Sequence, residues 1–218
     1  MKQNPLNHQK RRWQETFSEC PGMFGAEASI PARAAADLFK SEAVQTILEL
    51  GSGQGRDTIY FAQEGFRVHA LDYSGVGLES VKALAHEAGL SGRVVTKIQD
   101  VREPLPFIDG SFDACYSHML FCMALTTPQL RFLSGEIRRV LKPGGWCIYT
   151  VRHTGDAHYR KGVERGEDLY EMGGFIVHFF SRKLVRELSQ GFEIIVVDEF
   201  EEGDLPRKLF RVTQRKPS

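Results

Sequence analysis

Apolar residues along this chain fall into short runs separated by longer amphipathic stretches. Thr46–Leu50, Arg67–Asp72, Val94–Ile98, Phe112–Ser117 and Trp146–Val151 are short and apolar enough for buried strands. Asp57–Gln63, Gly75–Ala88 and Pro128–Val140 read as helices between them. Such alternation predicts an α/β fold with a parallel, doubly wound sheet. Pro31–Phe39 predicts a helix ahead of the first strand, with Ser29 or Pro31 near its start. Arg182–Leu188 predicts another after the fifth. Phe192–Phe200 and Leu209–Gln214 predict two further strands, joined only by residues 201–206. A connection that short requires an antiparallel hairpin.

Two stretches break the pattern. Residues 1–29 are polar and loop-like, with Trp13, Phe17 and Phe24 interspersed. Aromatics spaced along a polar segment imply that it docks on the rest of the protein. Residues 152–180 are long, polar and rich in Gly, His and Tyr. They leave the carboxyl end of the fifth strand, the edge where such sheets bind ligands, and loops of this length are usually functional.

Composition narrows the class. A chain of 218 residues suits one domain with a sizeable core, and 42% hydrophobic content is that of a globular protein. Lys plus Arg and Asp plus Glu balance at 28 each, which argues against a nucleic-acid partner gripped through phosphates. No run reaches the length of a membrane span, and the polar, basic N-terminus has no signal-peptide core. The four cysteines (20, 115, 122 and 147) form no C-x-x-C pair. Free thiols and a cytoplasmic, reducing compartment are the expectation.

The chemistry concentrates at Glu49-Leu50-Gly51-Ser52-Gly53-Gln54-Gly55-Arg56, where a buried strand runs into a glycine-rich turn, with Asp57 as the expected N-cap of the next helix. Alternate glycines let a ligand lie against bare main chain. A dinucleotide site reads G-x-G-x-x-G; here Arg56 holds the place of its third glycine. Glu49 would repel a pyrophosphate and favour a cation. Asp72 ends the second strand about 20 residues on, the spacing that puts a carboxylate on ribose hydroxyls.

These residues resemble motif I and the following acidic position of the class I S-adenosylmethionine (SAM) methyltransferases. Asp100-Val101 after the third strand and Leu141-Lys142-Pro143-Gly144-Gly145 before the fifth extend the resemblance over roughly Thr46 to Thr150. It implies a Rossmann-like seven-stranded sheet of order 3-2-1-4-5-7-6 with the last strand antiparallel. It also implies one methyltransferase domain over 1–218: a cap segment (1–29), a SAM-binding core (30–151), a substrate lid (152–180) and a C-terminal helix and hairpin (181–218). SAM would be the cofactor and S-adenosylhomocysteine the product. Glu49, Gly51, Ser52, Gly53, Gly55, Asp72, Tyr73, Asp100, Val101, Ser117 and Met119 would form the cofactor site.

The acceptor site belongs at the ends of the fourth and fifth strands. His118 and His153 stand there as candidate general bases. Trp13, Phe24, Phe121, Arg152, Tyr159, Tyr170 and His178 are candidates for substrate contact. No metal is expected, since H-E-x-x-H is absent. The N/D-P-P-Y/F motif of amino-methylating nucleic-acid and glutamine methyltransferases is absent, and the compact size, aromatic N-terminal segment and R-D-x-x-x-x-x-x-x-G pattern from Arg56 to Gly65 resemble the small-molecule group, which implies a small-molecule acceptor. Within that group the layout is loosely similar to the tellurite-resistance and thiopurine-type enzymes. An NAD-dependent oxidoreductase and a non-catalytic SAM-binding protein are the alternatives. A monomer or a homodimer fits the neutral charge.

Overall fold

The structure, a computed structural model, describes residues 5–203 and 207–218. Its strands are β1 (Thr46–Leu50), β2 (Arg67–Asp72), β3 (Val94–Ile98), β4 (Phe112–His118), β5 (Leu141–Arg152), β6 (Val163–Gly166), β7 (Leu169–Met172), β8 (Phe175–His178), β9 (Glu193–Glu202) and β10 (Arg207–Arg215). Its helices are α1 (Pro5–Glu19), α2 (Ile30–Ser41), α3 (Arg56–Gln63), α4 (Gly75–Glu87), α5 (Thr127–Val140) and α6 (Arg182–Leu188).

The main sheet has seven strands in the order β3-β2-β1-β4-β5-β10-β9. With the three strands of the 152–180 segment set aside, this is the expected 3-2-1-4-5-7-6. The first five strands run parallel. β10 runs antiparallel to both β5 and β9. Residues 204–206 of the hairpin connection lie outside the described residues.

Side-chain alternation along β1 explains the two-faced core. Ile47 joins Ala32, Phe39, Phe61 and Tyr116 under α2 and α3. Leu48 and Leu50 join Leu71, Leu133, Ile137 and Tyr149 under α5. Caps fix where helices begin. The Ser29 hydroxyl accepts from Ala32 N at 3.1 Å to start α2. Thr126 and Gln129 form a capping box ahead of α5.

Four local expectations are corrected. Residues 5–19 form a helix, not a loop, because Gln9, Trp13 and Phe17 recur every four positions and give it one face to bury. α3 begins at Arg56 with Gly55 as its N-cap in the left-handed region, φ 96°, so Asp57 lies in the first turn instead of capping it. Leu141–Gly145, expected as a turn, forms the start of β5, with an irregular register against β4. Residues 163–178 fold into an antiparallel sheet of order β6-β7-β8 instead of a loop. Gly173 and Gly174, both at positive φ (57° and 83°), make the two-residue turn between β7 and β8.

Candidate functional site

The glycine turn sits where β1 hands the chain to α3. Gly51 N and Ser52 N both donate to Leu71 O, at 2.8 and 3.1 Å, which ties the turn to the end of β2. Space around it is tight. A Cβ on Gly51 would lie 2.9 Å from Leu120 Cβ, and one on Gly77 would lie 2.5 Å from Gly53 O. Gly77 therefore lets α4 approach the turn backbone. The G-V-G of Gly75–Gly77 was the only sequence signal for that approach.

Asp72 bonds the turn, Glu49 lies beneath it and Asp100 lines the neighbouring cavity. Asp72 accepts from Gly53 N at 2.9 Å and from Ser74 N at 2.8 Å. Burial nevertheless raises its pKa. Glu49 is buried beneath the turn and accepts from the Thr58 hydroxyl. Burial, with the nearby Asp57 charge, pushes its pKa up to about 8. Asp100 accepts from the Arg102 backbone at 3.0 Å and from its guanidinium at 2.9 and 2.7 Å. That pairing holds its pKa below the usual range, against the opposing effect of burial.

An arm closes over this edge. Phe17 and Phe24 would lie 3.6 and 3.9 Å from a Cβ on Gly53. Gln54 ties the arm down. Its side chain donates to Phe17 O (3.3 Å) and Cys20 O (3.2 Å) and accepts from Met23 N (3.1 Å). Asp57 anchors the arm's end, accepting from Ser29 N at 2.8 Å and from its hydroxyl at 2.7 Å. α1 also docks on β8: Gln9 donates to Gly174 O at 3.0 Å and accepts from Ile176 N at 3.2 Å. Trp13 packs on Phe175 with ring centroids 4.9 Å apart. Between the arm and the sheet, Gln9, Tyr73, Asp100, Val101, Leu120 and Met123 line a cavity of about 30 Å³.

Residues 47–145 match the family model of a methyltransferase domain. The chain is 30% identical over 154 residues to the biotin biosynthesis bifunctional protein BioHC of Teredinibacter turnerae, covering 65% of this chain and 26% of that one. It is 28% identical over 171 residues to 24-methylenesterol C-methyltransferase 2 of Oryza sativa, covering 72% and 46%. The chain thus spans less than half the length of these curated relatives. The crystal structure of Burkholderia thailandensis 1,6-didemethyltoxoflavin-N1-methyltransferase, with that compound and S-adenosylhomocysteine bound, shares the fold at TM-score 0.74. It is 18% identical, with 99% of this chain and 91% of that chain covered. The chain is thus similar to methyltransferases in sequence over its core and in fold over its length.

The residues present suit the cofactor of that family. Main chain at Gly51, Gly53 and Gly55 carries no side chain, and Leu120, Phe17 and Val81 pack close to it. The Ser52 hydroxyl is buried at the turn without a hydrogen-bond partner among the described residues, as a group awaiting a ligand would be. Asp72, which accepts from backbone amides of Gly53, Tyr73 and Ser74, and Asp100, which accepts from Arg102, both keep acceptor capacity among roughly four lone-pair sites each. The cavity as it stands has room for about one water.

Of the other expected site residues, the structure brings some to this edge and commits others elsewhere. Ser117 donates to Leu50 O at 3.0 Å, and Met119 follows β4 in the left-handed region, φ 65°. Trp13 and the exposed Phe24 belong to the arm beside the glycine turn. Phe121 is instead a core residue, stacked on Tyr149 with ring centroids 4.5 Å apart. Four residues expected to contact substrate build the interior of the 152–180 segment. Arg152 is buried and paired with Asp156, with its guanidinium over Phe179. Tyr159 donates to Asp168 at 2.7 Å. Tyr170 is buried against Tyr159 and Phe179. His178 is buried with Nδ1 2.8 Å from Leu125 O.

Both candidate bases have their acceptor nitrogen engaged. His153 Nδ1 accepts from Gly155 N at 2.9 Å, and its ring stacks on Phe210. Burial lowers its pKa, so Nε2 carries the proton of a neutral ring and cannot accept another. His118 lies between Thr150 Oγ1, 2.8 Å from Nδ1, and Glu202 Oε2, 3.2 Å from Nε2. As arranged, each ring has Nδ1 engaged within the protein.

Proposed function

We propose that this protein transfers a methyl group from SAM to a small-molecule acceptor. The observation that carries the proposal is the joint between Asp72 and Gly53. The acid that would hold a ribose is bonded at 2.9 Å to the glycine turn that would carry the amino-acid end of the cofactor, so the two halves of one ligand site are built as a unit.

Asp72 holds the ribose hydroxyls in this reading, and Asp100 with the Val101 backbone holds the adenine. Tyr73 and Leu120 wall the nucleoside. Ser52, the Gly51–Gly55 backbone, Ser117 and Met119 surround the methionine end, with Glu49 beneath it, where the charge of a cationic ligand would favour its ionised form. When bound, SAM supplies a methyl activated by its sulfonium. The protein orients an acceptor toward that position and excludes water. Trp13 and Phe24 of the arm are the proposed acceptor contacts, and the 152–180 segment is the platform on which the arm closes.

Incubation with labelled SAM and a panel of thiol, chalcogen, amine, hydroxyl and activated-carbon acceptors tests this. Turnover of at least one acceptor is expected, with Asp72→Ala losing it at sub-saturating SAM. Labelled cofactor left unconsumed across the whole panel would favour a SAM-binding protein without catalysis.

A further inference from the structure

A chain of polar contacts, part ion pair and part hydrogen bond, crosses the ligand edge of the sheet away from the glycine turn. Glu202 ends β9, and its Oε2 lies 3.2 Å from His118 Nε2. His118 Nδ1 lies 2.8 Å from Thr150 Oγ1. Thr150 Oγ1 in turn accepts from Met119 N at 3.0 Å, an amide that also donates to Thr150 O at 3.2 Å. Thr150 is completely buried, so its partners are these. Its hydroxyl has one proton to give, and His118 Nδ1 is there to accept it. The ring proton then sits on Nε2, which faces the Glu202 carboxylate at 3.2 Å.

The far end of the chain is the strained point of the site. Met119 holds φ 65°, a conformation that costs a non-glycine residue on the order of 1–3 kcal/mol unless neighbours impose it. Its amide bond to Thr150 is part of what imposes it. The next residue, Leu120, is packed over Gly51 and lines the cavity with Met123. A displacement of Met119 therefore moves the wall of the cofactor cavity. Burial opposes ionisation of Glu202, but His118, Arg56 of α3 and Arg207 of β10 outweigh it and hold its pKa below the ordinary range.

We propose that Glu202 is a positioning residue of the methyl-transfer site. Through His118 and Thr150 it fixes the Met119–Leu120 backbone against the glycine turn. This deepens the function proposed above and rests on it. Glu202 is far from every motif in sequence, and hairpin closure alone brings it to the site.

The test compares the full chain with Glu202→Gln and Glu202→Ala by two readouts: ¹⁵N–¹H correlation spectra of the histidine rings, and calorimetric titration with S-adenosylhomocysteine. The parent should show His118 protonated on Nε2 with Nδ1 bare. Glu202→Gln keeps an acceptor oxygen, so it should retain that tautomer and bind within about threefold of the parent. Glu202→Ala should give mixed tautomers and bind about tenfold more weakly. Thr150→Val, nearly isosteric, breaks the next link and should weaken binding similarly even where the Ala variant folds poorly. Parent-like affinity in both Glu202→Ala and Thr150→Val would overturn the proposal. So would a Gln variant as weak as Ala with the ring unchanged. If the parent itself fails to bind S-adenosylhomocysteine, the cofactor reading falls and the positioning role with it, while the ring spectra still report whether the chain forms.

Discussion

Single residues at the turn make sharp claims because each is held by few, specific contacts. Asp72→Ala removes a charged acceptor whose ribose hydrogen bonds would each contribute roughly 1.5–3 kcal/mol. Affinity for S-adenosylhomocysteine should fall by about two orders of magnitude, measured by calorimetry. Glu49 makes a claim about pH. Its pKa rises from 4.5 to about 8 on folding, so across that window the folded state holds a proton that the unfolded state has lost. Stability is thus fully present below the lower value and declines as pH rises through the higher, by up to about 1.4 kcal/mol per pH unit. Glu49→Gln should melt at the same temperature as the parent near pH 4.5 and several degrees above it at about pH 9. Parallel melting curves across that range would contradict the burial account. Gly77→Ala inverts a common rule. Alanine normally stabilises a helix by up to about 1 kcal/mol over glycine, but here its Cβ would meet Gly53 O at 2.5 Å, so the melting temperature should drop.

Elements differ in how openly the sequence announced them. The five parallel strands and the hairpin were legible because buried strands are short, apolar and punctuated. α1 was not, because its polar residues outnumber the three that dock; the i, i+4, i+8 spacing of Gln9, Trp13 and Phe17 was the available signal. The 163–178 sheet was hidden for a similar reason. Its strands are four residues each, and only Met172-Gly173-Gly174-Phe175 marked a tight hairpin. The glycine turn and Asp72 were legible because local spacing defines them. Glu202, Gln54 and the engaged state of the two histidines were not, since those depend on contacts between distant segments. The docking of α1 on β8 carries its own prediction. Gln9→Ala combined with Trp13→Ala removes two backbone hydrogen bonds and an aromatic contact, so limited proteolysis should cleave near residues 5–29 faster than in the parent, with the core left intact. Equal cleavage rates would mean that α1 is held by something else.

At the scale of the whole molecule, the sheet order and the antiparallel edge place the turn, the acids and the histidines along one edge. The arm and the 152–180 segment then close over that edge from two sides of the sequence. Among the described residues no helix is long and apolar enough to cross a membrane, and the exposed surface carries ion pairs of both signs. The central claim is that this edge takes SAM and not a nicotinamide dinucleotide. Calorimetric titration of the purified protein with S-adenosylhomocysteine, with NADH as the control, tests it most directly. Saturable one-to-one binding of S-adenosylhomocysteine with no heat from NADH is the predicted result. Binding of NADH, with none of S-adenosylhomocysteine even after the arm is loosened by Gln9→Ala and Trp13→Ala, would contradict it.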